Sequence, residues 1–182
     1  MKEENPDHLT IPIWAYEAIE IEDANMQWEA YGLRETRELS DVLSKFDIKG
    51  AEHIGSTAVP GLPAKPIIDV MIRIESFVNM NAIVDTLTAY GWHYVPPELD
   101  GKLWRRFFVK VKDDKRVAHL HLMKGTEKRW EEQIEFRDKL RESPLLAKEY
   151  GLLKKQLATE FREDREKYTE AKAEFINRVL NS

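Results

Sequence analysis

The chain has 182 residues, 42% of them hydrophobic, 34% charged and 10% aromatic, a composition that suits one globular domain with a sizeable core and excludes a disordered chain. A formal charge of -5 excludes bulk nucleic-acid binding, which needs a dense basic surface, and the absence of cysteine removes disulfides, thiolate metal sites and cysteine nucleophiles. The polar, acidic start MKEENPDHLT lacks the features of a secretory signal and no apolar run nears the ~20 residues of a membrane span, so a cytoplasmic protein without membrane contact is expected.

Residues 11–21 read as an extended entry or short strand, after which Asp23 or Asn25 can cap a helix running to about Phe46. Trp28, Tyr31, Leu39, Val42, Leu43 and Phe46 recur there at helical spacing. A short strand is expected over 48–54 and a rigid loop over 55–66, where Gly55 and Gly61 alternate with Pro60, Pro63 and Pro66. The run IIDVMIRI that follows is nearly all apolar and rich in β-branched residues, as in a central strand covered on both faces. Ser76 can cap a helix to Tyr90 that Gly91 ends, followed by a short strand over 92–95 and a turn at Pro96 and Pro97. Residues 103–111 and 116–123 flank Asp113 and Asp114 as an antiparallel hairpin with a loop of about four residues.

The sum is a mixed sheet of about four strands flanked by helices, an α/β (α+β) architecture. From residue 127 the pattern changes to three helices, over 127–142, 144–160 and 164–181. Pairs such as Glu135/Lys139 and Glu163/Lys167 mark them as solvated faces. A single domain is expected, with an α/β core over 1–124 and a helical extension over 125–182.

Candidate chemistry centres on residues 52–69. Gly55 lets backbone approach a phosphate, Ser56 and Thr57 offer hydroxyls, and Asp69 on the next strand can hold a divalent ion. Equally, Asp69 can pair with Lys65 or Arg73 to hold the sheet. His119 and His121 alternate with apolar residues, so both imidazoles share a strand face. They can join Asp69 around Mg, Mn or Zn, act as general acid and base, or be simple hydrogen-bonded histidines. Arg105 and Arg106 lie on opposite faces of their strand, so one at most can look towards the histidines. On the last helix Lys172 falls within the stripe of Tyr168, Phe175, Ile176 and Val179, where it either snorkels or enters a site.

The stretch EHIGSTAVPGLPAKPIIDVMI resembles the defining block of the GrpB family, a branch of the nucleotidyltransferase superfamily. The likeness continues through WRRFF at 104–108, HLHL at 119–122, FRDKLRESP at 136–144, Tyr150 with Lys154, and Tyr168 with Lys172 and Phe175. The resemblance implies a minimal nucleotidyltransferase fold in which a Gly-Ser turn and strand carboxylates hold nucleotide phosphates and metal. On that pattern Gly55, Ser56, Thr57, Lys65, Arg105 or Arg106, Tyr168 and Lys172 would bind a nucleotide or other phosphorylated ligand. Asp69, His119 and His121 would supply catalysis or metal ligands. The superfamily's second carboxylate, two residues after the first, is Met71 here. Two functions therefore stand side by side: nucleotidyl transfer, and a non-catalytic accessory or ligand-sensing role. The second fits relatives in this family that are fused to dephospho-coenzyme A kinase.

Overall fold

The computed structural model describes residues 12–182. Strands β1 (Ala51–Ile54), β2 (Ile68–Ile74), β3 (Trp92–Val95), β4 (Arg105–Lys112) and β5 (Lys115–Lys124) form one sheet in the order β1-β2-β5-β4-β3. Only β2 and β5 run parallel; the other neighbours are antiparallel. The first face is covered by α1 (Gln27–Leu43) and α2 (Met80–Ala89). Alternate residues of β2 (Ile68, Val70, Ile72 and Ile74) pack there with Trp28, Leu39, Leu43, Ile83 and Leu87, because successive side chains of a strand point to opposite faces. On the second face Met71 joins Ile54, Met123 and Trp130, the last from α4 (Arg129–Glu142). Burial on both faces is what the apolar run predicts, and it leaves Asp69 and Arg73 on the second face.

Several boundaries differ from expectation. The entry segment starts with a 3-10 turn at Ile13–Tyr16, bridges to the loop through Glu22 and Ala64 and is held to β5 by Arg116, which donates to the Glu17 carboxylate and the Trp14 carbonyl at 2.9 Å each; the expected start at Ile11 lies outside the described residues. Helix α1 begins after Asn25, whose side chain receives the Gln27 amide at 2.9 Å. Helix α2 begins at Met80 rather than after Ser76. Pro96 and Pro97 open a one-turn helix, α3 (Pro97–Asp100), because proline is preset for a first helical turn. The sheet has five strands, since β3 pairs with β4. The hairpin loop is the two residues Asp113 and Asp114, both at positive φ, the primed turn that matches strand twist.

After α4 come α5 (Pro144–Glu160), α6 (Arg165–Ala171) and α7 (Ala173–Leu180), so the last expected helix is broken at Lys172. Ser143 caps α5 through its hydroxyl, with proline at the first helical position. The loop over 55–66 is pinned from three sides. Arg141 of α4 donates to the Ala58 carbonyl at 2.9 Å, Lys154 of α5 donates to the Pro63 carbonyl, and Glu22 and Ala64 exchange backbone hydrogen bonds at 2.9 and 3.0 Å. Leu62 is fully buried among Tyr150, Phe175 and Val179. The helical tail thus closes over the loop and the second sheet face, which sets the position of the site.

Candidate functional site

Parallel pairing of β2 with β5 places Asp69 opposite His119, and Met71 opposite His121. The alternation of side chains then brings one carboxylate and two imidazoles to the same face. His119 Nδ1 lies 2.9 Å from Asp69 Oδ1, and His121 Nε2 lies 3.6 Å from the same oxygen. The aspartate side chain is 29% exposed and each imidazole 13%, so the carboxylate is the more open group. Its other oxygen sits beneath the Gly55 turn: a Cβ on residue 55 would come within 2.7 Å of Asp69 Oδ2, and φ there is +72°. Glycine is required at this position for both reasons. Phe107 of β4 packs against both imidazoles, with ring centroids 5.1 and 5.2 Å away.

The ionisation states follow from these contacts. Burial alone would raise the Asp69 pKa, but hydrogen bonds from His119 and His121 overcome it and hold the carboxyl far below the ordinary range. Burial pushes His121 down to about 4 and lowers His119, against the pull of Asp69. Arg105 completes the group. It grips Asp100 of α3 through two hydrogen bonds, at 2.8 and 2.6 Å, and turns a third N–H to His121 Nδ1.

Around this acid stand three lysines. Lys172, at the break between α6 and α7, lies 4.3 Å above the Tyr168 ring, and Lys65 lies 5.3 Å from the same ring. Lys154 is 2% exposed and lies 4.9 Å from the Tyr150 ring centre. Burial pushes Lys172 and Lys154 down to about 7 and Lys65 to about 8; repulsion from neighbouring lysines adds to it at Lys172 and Lys154, and from Arg165 and Arg116 at Lys65. Among the described residues none of the three forms an ion pair with a carboxylate. Asp69 is near enough to favour the charged forms of Lys65 and Lys172. Such an excess of buried positive charge is costly unless an anion offsets it.

Of the residues expected from sequence, Gly55, Ser56, Lys65, Asp69, Arg105, His119, His121, Tyr168 and Lys172 fall in this region. Two do not serve it. Arg106 is on the opposite sheet face, over the Phe77 ring at 4.0 Å, as strand parity demands. Thr57 is buried, and its hydroxyl is committed to the Ile67 carbonyl at 3.1 Å and His53 Nε2 at 3.0 Å. Three contributors were not singled out as site residues. Lys154 shares a helical stripe with Ala147, Tyr150, Gly151 and Leu157, all buried, so a lysine at apolar spacing was the available signal. Asp100 and His53 act through tertiary contacts that no local pattern announces.

The donor atoms of Asp69, His119 and His121 all lie within 4.8 Å of one another, close enough in position for a divalent ion. Their protons oppose one. A guanidinium has no acceptor, so Arg105 occupies the lone pair of His121 Nδ1 and the hydrogen of that neutral ring sits on Nε2, the nitrogen facing Asp69. As arranged, the set does not fit an ion, and no step is derived through one.

Comparison with known proteins places these features in a family. The profile of the family described as GrpB protein matches residues 18–182. The chain is 33% identical over 150 residues to the glutamate-rich protein GrpB of Alkalihalophilus pseudofirmus, covering 80% of this chain and 84% of that one. It is 35% identical over 158 residues to UPF0157 protein YqkA of Bacillus subtilis, covering 87% of this chain but 45% of that longer protein. Among solved structures, the conserved protein GrpB from Enterococcus faecalis superposes with a TM-score of 0.77 at 31% identity, over 89% of this chain and 95% of that one.

Proposed function

The chain belongs to the GrpB family, and from that premise we propose that it binds a phosphorylated small molecule, of the nucleotide class, at the lysine cluster above Asp69. The observation that carries this reading is the convergence of Lys65, Lys154 and Lys172, without carboxylate partners among the described residues, beside a glycine turn. Aromatic rings attract ammonium groups but do not replace a counter-ion, so these lysines hold their charge weakly near neutral pH, and a polyphosphate offers oxygens that would restore it. The Gly55-Ser56 turn, in this reading, adds backbone and hydroxyl donors at the edge of the site.

Two-metal nucleotidyl transfer needs several carboxylates to bridge both ions. Asp100 is taken up by Arg105, which leaves Asp69 as the carboxylate facing the lysines, and Met71 stands where a second is expected. The reading is therefore ligand binding without two-metal transfer, which favours an accessory or sensing role. No helix among the described residues is long and apolar enough to cross a membrane.

Thermal unfolding with inorganic tripolyphosphate, nucleoside triphosphates, coenzyme A precursors and inorganic phosphate tests this. Polyphosphates are expected to raise Tm more than phosphate does, with an effect that weakens in high salt. It should also weaken as pH rises from 7 to 9, because lysines with pKa near 7 to 8 then lose the charge that attracts the ligand. Lys172→Met keeps most of the stem and should remove most of the shift. No polyphosphate effect on the wild type, or an undiminished one in Lys172→Met, would overturn the reading.

A further inference from the structure

Asp100, Arg105, His121, Asp69 and His119 stand in series across β4, β5 and β2, hydrogen-bonded at every step except the 3.6 Å approach of His121 to Asp69, and their hydrogens can be placed by elimination. Asp100 accepts two N–H groups from Arg105, at 2.6 and 2.8 Å, with both side chains under a tenth exposed. Arginine can only donate, so His121 Nδ1, which receives the next N–H, is an acceptor. In a neutral imidazole the hydrogen must then reside on Nε2. That nitrogen faces Asp69 Oδ1 at 3.6 Å, and an ionised carboxylate can only accept. The Arg105 end thus fixes the tautomer of His121, and the hydrogen it leaves on Nε2 is the one that suits the nearby carboxylate. His119 Nδ1, 2.9 Å from Asp69 Oδ1, must likewise carry its hydrogen. Its Nε2 is then an acceptor, buried and without a partner among the described residues.

We infer that His119 and His121 are positioning residues, His119 donating an N–H to Asp69 and His121 turning an N–H towards it, with Arg105 fixing the tautomer of His121, and that Asp69, His119 and His121 together are not a metal centre. Metal ligation by His121 Nε2 would require Nδ1 to carry a hydrogen, which would point it at the guanidinium. Arg105 cannot simply yield, since Asp100 holds it by a bidentate ion pair. Both imidazole N–H groups converge on Asp69 Oδ1, which leaves Oδ2, below the Gly55 turn, as the uncommitted carboxylate oxygen. The HxH pair is in this account the back wall of the site, setting the orientation and charge of one carboxylate.

The inference does not depend on what the lysines bind, and its test needs no organic ligand. Long-range proton–nitrogen correlation spectra of the imidazoles in the ligand-free wild-type protein report each tautomer directly. His119 is expected to be protonated on Nδ1 and bare on Nε2, His121 the reverse. One equivalent of zinc or manganese should leave both patterns unchanged. A hydrogen on His121 Nδ1, or joint perturbation of both rings at one equivalent of metal, would overturn the inference. Arg105→Met removes the donor and should raise zinc affinity tenfold or more by releasing the tautomer. A folded variant with no such gain would overturn the role given to Arg105, and the wild-type spectra decide the remainder whether or not the variant folds. Polyphosphate binding can fail in the thermal assay while these spectra hold, so the two readings fall separately.

Discussion

His53 on β1 is a half-buried imidazole whose surroundings decide its proton. The Thr57 hydroxyl gives its one hydrogen to the Ile67 carbonyl at 3.1 Å, so it accepts from His53 Nε2 at 3.0 Å. The other ring nitrogen then faces α1 at Gly32, where an added Cβ would lie 2.0 Å from His53 Nδ1. Any larger residue at 32 would push the helix off the strand. Burial holds the His53 pKa at about 4, below the ordinary value of 6.5. The unfolded chain therefore takes up a proton below pH 6.5 that the folded protein refuses until about pH 4, and folding loses stability across that window as pH falls. Urea unfolding should show the midpoint dropping between pH 6.5 and 4.5, with a shallower slope in His53→Gln. A slope unchanged by that substitution would assign the acid sensitivity elsewhere. His53 also clamps the loop entry, so the Gly55 turn is positioned by a side chain that does not itself reach the site.

At the scale of elements, α5 carries the clearest trade between stability and binding. Lys154 is buried between the Tyr150 ring and the Pro63 carbonyl, and its folded-state pKa of about 7 lies well below the ordinary 10.5. The penalty for burying its charge is fully present below pH 7 and fades as pH rises towards 10.5. Lys154→Met should stabilise the ligand-free protein by about 1–3 kcal/mol near neutral pH and by less at pH 9, while reducing the thermal shift from polyphosphate. Denaturant titrations at the two pH values read this directly. Strand parity made much of the site legible in advance: a period of two placed Asp69 with Met71, and His119 with His121, and set Arg105 apart from Arg106. Helix ends were less legible. Nothing in the run from Lys167 to Ile176 breaks a helix by composition, yet the chain bends at Lys172, where packing of Tyr168 in one cluster and Phe175 in another overrides local propensity. The hairpin loop is shorter than the spacing of apolar residues suggests because the polar Lys112 and Lys115 continue the strands up to the turn, and aspartate tolerates the left-handed region that a two-residue turn needs.

For the molecule as a whole, the sheet and the helical tail share their cores. The 55–66 loop relies on Leu140, Tyr150 and Phe175 to cover Leu62 and Val59, and β1 is held by Arg137 of α4, which donates to Glu52 at 2.8 Å and to the His53 carbonyl at 3.0 Å. A fragment ending at residue 124 would expose Leu62, Ile54 and Met71 together. It should fail to unfold cooperatively, seen as a broad urea transition and poor amide dispersion. A sharp transition in that fragment would show the sheet to be self-sufficient.

The single parallel pairing, β2 against β5, joins segments some fifty residues apart in the chain, whereas β4 and β5 meet through a two-residue turn. Closing a long loop costs more entropy than closing a short one, so the hairpin can form early and the parallel seam later. Asp69 and His119 face each other across that seam. During synthesis the acid acquires its two imidazole partners only when β2 and β5 have met, and Lys154 and Lys172 arrive later still, with α5 and the break at Lys172. The carboxylate, its imidazoles and the lysines around them are in this sense assembled late, by contacts that exist only once the sheet has closed and the helical tail has docked on it.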